Sequence, residues 1–244
     1  MILEGNVSVK AAILGGRRTV TKLMIDQNKK DRDTAFIIRS AKQRGIPVEL
    51  MERETIDAMA EGRTHGGVLC EAGGRTIQSA EDCLKEETPL LFLVEGVEDP
   101  FNLGYIMRTL YSAGCSGLIL SERNWENAEK VIIRSSAGAS EYLNVVMEKD
   151  LAGCLRKLKK QGVRCYAAMR QDAIVYDEAD YCEPVLIAVG GEMRGLSASV
   201  RQEIDTNIFI PYANDFRNAL NAASAAAVLS FEAARQRRRQ SWKK

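Results

Sequence analysis

At 244 residues, 45% of them hydrophobic, the chain is long enough for one large globular domain or two modest ones with a real core. Its net charge of +1 argues neither for nor against a nucleic-acid partner, but no apolar run reaches the ~18 to 20 residues that span a bilayer, and Met1 to Gly5 do not open a secretory leader. Six scattered cysteines without a CxxC pair, and one histidine, exclude a histidine-rich metal centre and suggest reduced thiols in a cytoplasmic protein with no metal and no membrane association.

In chain order, residues 5–72 alternate helical and strand patterns (7–14, 20–25, 34–44, 48–51, 56–60, 67–72), which predicts a small α/β sandwich. Arg17 and Arg18 follow Gly15-Gly16 at a helix end, where cations are favourable locally and could equally touch RNA phosphates. His65 precedes Gly66-Gly67 and reads as a turn residue rather than a base. Over 73–89 the periodicity fades into a glycine-led, acidic, proline-ended stretch, taken as a linker with room for a short helix at 79–86. Two domains follow from this, 1–72 and 90–244.

The second domain opens on the unbroken apolar run Leu90-Leu91-Phe92-Leu93-Val94, the pattern of a strand buried on both faces of a parallel sheet. A helix starts at about Asn102, read as its N-cap, with Leu103, Ile106, Met107, Leu110 and Tyr111 at helical spacing and Arg108 among them. Strands at 117–120, 143–147 and 163–169 and helices at 127–134 and 151–160 come next, with a small-residue loop at 135–139. The strand 185–189 runs directly into Gly190-Gly191-Glu192-Met193-Arg194-Gly195, where glycine lets a bound molecule approach the main chain. A second strand ends at Pro211, and an alanine-rich helix begins near Asn221. The last ten residues carry six basic groups and no acidic one, so the preceding 234 sum to −5; the tail reads either as a helix end matched to its dipole or as a phosphate-binding segment.

Three of these stretches together resemble the SPOUT-type RNA methyltransferases, in their SpoU-like (TrmH) branch. They are Asn102-Leu103-Gly104 with Arg108-Thr109, the loop 190–196, and Ile208 to Pro211 followed by Leu220-Asn221. Residues 1–72 resemble the ribosomal-protein-like domain that grips structured RNA in that family. The resemblance implies a C-terminal α/β knot, a deep trefoil with a mainly parallel sheet, behind a small α/β sandwich for RNA recognition. It also implies a homodimer, S-adenosylmethionine as cofactor, and methyl transfer to a ribose 2′-hydroxyl of ribosomal or transfer RNA. Carried over by position, Gly190, Gly195, Ile210 and Leu220 hold the cofactor and Glu192 supports it. Asn102 and Asn221 orient polar groups, and Arg108 stands nearest the reacting hydroxyl. Many relatives have a serine before the Leu-Asn pair, where this chain has Ala219. That departure keeps open a knotted RNA-binding protein without transfer. A nicotinamide oxidoreductase is disfavoured because no GxGxxG follows an early strand.

Overall fold

The computed structural model describes residues 1–191 and 194–241. In chain order the first elements are β1 (Ile2–Glu4), α1 (Gly5–Gly15), β2 (Val20–Asp26), α2 (Arg32–Gln43), β3 (Val48–Met51), α3 (Arg53–Met59) and β4 (Val68–Ala72). There follow β5 (Leu90–Glu95), α4 (Pro100–Ser112), β6 (Gly117–Ser121), α5 (Glu129–Ser135), β7 (Val145–Glu148), α6 (Leu151–Lys160) and β8 (Arg164–Ala168). The chain ends with β9 (Ala173–Val175), β10 (Val185–Gly190), α7 (Ala198–Gln202), β11 (Thr206–Phe209) and α8 (Ala222–Ser241). The short helix expected in the linker is a single 3-10 turn, Glu81–Leu84.

Two compact units emerge, residues 1–76 with 126–142 and residues 77–125 with 143–244. The first holds a four-stranded sheet in the order β1-β4-β2-β3, antiparallel except for β2 beside β3. Because side chains alternate across a strand, Leu23 and Ile25 face a core shared with Val9, Ile13 and Ile37 of α1 and α2, whereas Met24 and Leu69 meet Ile56 of α3 on the other face. Helices thus lie on both faces of this sheet. His65 is buried just before the Gly66-Gly67 turn; its Nδ1 accepts from the Gly67 N–H at 3.3 Å and its Nε2 lies 3.1 Å from Asp57, so it serves the turn.

Residues 126–142 lie within the stretch read from sequence as the second domain, yet they pack in the first unit: Ile133 of α5 belongs to the core of Leu3, Val9 and Leu23. A buried charge cluster accompanies it. Arg18 donates to Glu141 at 2.6 and 2.9 Å and to Glu129 at 2.7 Å, with its side chain 1% exposed and that of Glu141 fully buried. Burial alone pulls the Arg18 pKa down, but the hydrogen bonds and charges of Glu141 and Glu129 outweigh it and hold the guanidinium above its ordinary value. Arg75 donates to the Ser140 carbonyl beside the same carboxylate, and burial brings its pKa down to about 10. Arg18 is therefore a structural ion, and the phosphate contact considered for it is ruled out by its burial.

The second unit is built on a seven-stranded, all-parallel sheet in the order β7-β6-β5-β10-β8-β11-β9. β5 is buried through Val94, as its apolar run predicts. One face of the sheet packs Leu91, Leu93, Leu186 and Ala188 against Leu151, Leu155 and Leu158 of α6, whose ends fall where the amphipathic pattern put them. On the other face α8 lies on β10 and packs against α4, its small residues Ala222, Ala225, Ala226 and Ala233 letting the helices approach closely. Burial pushes the thiols of Cys70, Cys154 and Cys165 up to about 12, so these cysteines fill space and do not act as nucleophiles.

The basic tail is partly structural. Arg237 donates to the carbonyls of Tyr181, Thr88, Pro89 and Glu183 at 2.6 to 3.3 Å, and Arg235 pairs with Glu232 at 2.6 Å. Among the described residues no helix is long and apolar enough to cross a membrane.

Candidate active site

The carboxyl ends of parallel strands collect ligands because the chain turns away there and leaves main-chain groups exposed. In the second unit β10 ends in that way beside β5. The Gly191 N–H donates to the Glu95 carbonyl at 2.6 Å, and the Gly195 N–H donates back to the Gly191 carbonyl at 3.0 Å. A Cβ on Gly190 would stand 2.6 Å from the Leu196 nitrogen, and one on Gly191 would strike the Gly96 carbonyl. An added side chain at either glycine would therefore collide with neighbouring main chain. Gly195, at φ +61° with open space around its Cα, is the position that leaves the main chain accessible. Glu192 and Met193 lie outside the described residues.

Two clefts meet at this turn. A cleft of about 470 Å³ is lined by Gly190, Gly195, Ile210 and Leu220, with Val189, Ile208 and Leu229 among its apolar walls. The four positions expected to hold the cofactor are therefore brought together. A second cleft, of about 660 Å³, is lined by Glu95, Asn102, Ser197 and Ala222. Arg194 and Gly195 line both.

Several residues of the first cleft carried no signal in the sequence. Arg170 lies over the Tyr212 ring at 4.7 Å and donates to the Arg217 carbonyl at 3.3 Å, while the Tyr212 hydroxyl accepts from the Leu220 N–H at 2.9 Å. These contacts hold the segment 210–221 against the first cleft, whose lining also includes Arg170, Arg201 and Arg217. The only hint was composition, arginine and tyrosine in a polar loop, because their partners lie 8 to 47 residues away.

The remaining predicted residues are placed differently from one another. Asn102 borders the second cleft, but the N-cap of α4 is Asp99, whose carboxylate accepts from the Asn102 N–H at 2.9 Å behind Pro100. Asp99 caps better because its side chain sits before the first helical turn, and Asn102 is freed from that duty. Asn221 caps α8, its Oδ1 accepting from the Ser224 N–H at 2.8 Å, between Leu220 of one cleft and Ala222 of the other. Ala219 lines the first cleft. Arg108 is exposed rather than held among apolar neighbours, and it lines neither cleft. At ~100° per residue it lies on the outer face of α4 with Phe101 and Tyr105, about a third of a turn from Asn102.

The sequence profile described as the SpoU rRNA Methylase family matches residues 89–231, more than half of the chain. The chain belongs to the SpoU rRNA methylase family. A second profile, the RNA 2′-O ribose methyltransferase substrate-binding domain, matches residues 2–76. Among relatives, this SpoU-family chain is 29% identical over 241 residues to the 23S rRNA (guanosine-2′-O-)-methyltransferase RlmB of Shewanella oneidensis, covering 97% of this chain and 98% of that one. It is 28% identical to the putative TrmH family tRNA/rRNA methyltransferase YacO of Bacillus subtilis, over 90% of each chain. The fold matches that of the SpoU methyltransferase AviRb from Streptomyces viridochromogenes, with a TM-score of 0.81 at 22% identity over 98% of this chain and 90% of that one. An AdoMet-bound rRNA methyltransferase from Sinorhizobium meliloti matches with a TM-score of 0.78 at 24% identity, over 96% and 86% of the two chains.

Proposed function

We propose that this SpoU-family chain is an S-adenosylmethionine-dependent RNA methyltransferase acting on a ribose 2′-hydroxyl, with ribosomal RNA as the first substrate to test. The observation that carries the reading is the meeting of two clefts at Gly195 and Arg194, one walled by the strand-end turns and the other bordered by Asn102. A cytoplasmic protein is consistent with the free thiols.

The first cleft fits such a cofactor. Its apolar walls Val189, Ile208 and Leu229 suit an adenine ring, the accessible main chain at Gly195 suits the polar edge of the base, and its arginines suit a carboxylate. When bound there, S-adenosylmethionine supplies an electrophilic methyl group on a sulfonium that leaves as a neutral thioether. The protein's part is to align a ribose hydroxyl and to see its proton removed. A guanidinium gives up its proton too reluctantly to serve as a base, so the part of Arg108 is to position the hydroxyl and stabilise the developing oxyanion while water or a phosphate oxygen takes the proton. Asn102 orients the ribose from the second cleft, and Asn221 acts by fixing the start of α8 between the clefts. Glu192 is assigned to the support of the cofactor by the family resemblance.

Since Arg108 lines neither cleft, the working form is a homodimer in which the exposed face of α4 meets a second copy. Phe101 and Tyr105, 51% and 49% exposed, flank Arg108 on that face, and Phe231 of the adjoining α8 is 52% exposed. Tyr105→Glu is expected to shift the sedimentation mass towards the monomer and to lower transfer while far-ultraviolet circular dichroism stays unchanged; a dimer of full mass would refute this face. The strand β10, which reaches the sheet after β8 and β9 yet lies between β5 and β8, supports the threaded trefoil.

The test is calorimetry with S-adenosylmethionine followed by methylation profiling of ribosomal RNA from cells with and without the gene. Binding and a gene-dependent 2′-O-methyl site are expected. Binding without any such site would favour the non-catalytic alternative that Ala219 keeps open. Gly191→Ala gives an independent check, since its methyl must part the β5 and β10 turns. The expected cost is about 1 to 3 kcal/mol, seen as a roughly 5- to 150-fold loss of cofactor affinity.

A further inference from the structure

We propose that a small cavity at the ends of β5 and β6, bordered by Arg123, Trp125 and Glu98, seats one unstacked RNA base and favours guanine. The proposal rests on the methyltransferase reading and names the part of the substrate that this site would hold.

The cavity, about 220 Å³, is continuous with the cleft that holds Asn102, sharing Gly96, Val97, Glu98 and Ser121 with it. A nucleotide whose ribose lies in the larger cleft has its base within reach of the smaller one. Enzymes that act on one nucleotide take it out of its stack and read it by stacking and by its Watson–Crick edge. Both elements are present. Arg123 lies 5.1 Å over the Trp125 ring, offering a planar cation already backed by an aromatic surface. Trp125 is only 8% exposed, yet its Nε1–H is buried with no acceptor among the described residues. A tryptophan placed for its hydrogen bond would have one, so its place at this wall is set by its flat surface.

Glu98 supplies the edge. Its ion pair with Arg123 spans 3.6 Å with side chains 78% and 45% exposed, a surface pair that separates readily when a better partner arrives. An ionised carboxylate only accepts, so it complements two adjacent N–H donors. Guanine presents them at N1 and N2, while uracil places its one N–H between two carbonyls that repel a carboxylate.

The full chain carrying Trp242→Phe leaves Trp125 as its one indole, since the sequence has two tryptophans. With S-adenosylhomocysteine saturating, GMP, AMP, CMP and UMP are titrated while Trp125 fluorescence is read. Saturable quenching is expected, about tenfold tighter for GMP than for UMP, the scale of one bidentate contact. Arg123→Ala should remove the quenching, and Glu98→Gln should keep it but erase the preference for GMP. Absence of saturable quenching, or quenching unchanged in Arg123→Ala, overturns the site; a GMP preference that survives Glu98→Gln, or no preference in the unaltered pair, overturns the assignment of the edge. Mononucleotide binding needs no methyl transfer, so this test and that of the methyltransferase reading fail separately.

Discussion

Arg108→Ala is expected to abolish methyl transfer to RNA while S-adenosylmethionine affinity and melting temperature stay at their unaltered values. The residue is exposed and lines neither cleft, so its removal opens no cavity in the core and takes nothing from the cofactor walls. A purely structural arginine on α4 would show the reverse pattern, a lower melting temperature with activity preserved in the folded fraction. The catalytic role requires a rate loss of at least ~10²-fold, the scale of removing one preorganised group that meets developing charge. Arg108→Lys sharpens the test, because it keeps the charge and loses the planar fork, so it should recover little of the rate. Near-full activity of Arg108→Ala on an RNA substrate would remove Arg108 from the mechanism. A mixed sample of Arg108→Ala with a second, cofactor-binding-deficient variant offers a further check: if the arginine serves the partner copy, mixing restores part of the activity that each variant lacks.

The second large effect belongs to Arg18. Arg18→Ala should destabilise the first unit by about 3 to 5 kcal/mol, because it leaves Glu141, fully buried, facing Glu129 without its main counter-charge. Hydrogen exchange is the suitable measurement: protection should fall across β2 and β4 while β5 and β10 in the second unit keep theirs. Equal protection of β2 and β4 in the two proteins would show that the pair is dispensable. The double variant Arg18→Met with Glu141→Leu should recover most of the loss, as buried ion pairs are often matched by apolar groups of similar volume. The same cluster bears on truncation. A fragment beginning at residue 77 would strip Ile133 and Glu141 of the core and counter-charge they have in the first unit, so a clean separation of the units must remove or redesign 126–142 as well.

Local pattern explains why some elements could be read before the structure. The run Leu90 to Val94 can only be satisfied by burial on two faces, and the alternation of Leu151, Leu155 and Leu158 with lysines can only be satisfied by one face of a helix, so β5 and α6 fall where they were expected. Each of these signals is carried by residues within a few positions of one another. The short strands β1 and β9, of three residues each, are too brief for any period to show, and they exist because a neighbouring strand offers them hydrogen bonds.

The sequence alone carried the family motifs and, through that resemblance, named Gly190, Gly195, Ile210 and Leu220, four positions that line one cleft. Tertiary structure alone decided the rest. Asp99 in place of Asn102 as the cap depended on where the helix began, and the exposure of Arg108 depended on which face of α4 met α8. The burial of Arg18 depended on a carboxylate 123 residues away, and the support of Leu220 by Tyr212 and Arg170 depended on how a loop closed over a strand end. A residue's charge and period are local properties, but its partner is set by packing between distant segments, and burial turns that partner into either an ion pair inside the fold or a group left free for a substrate.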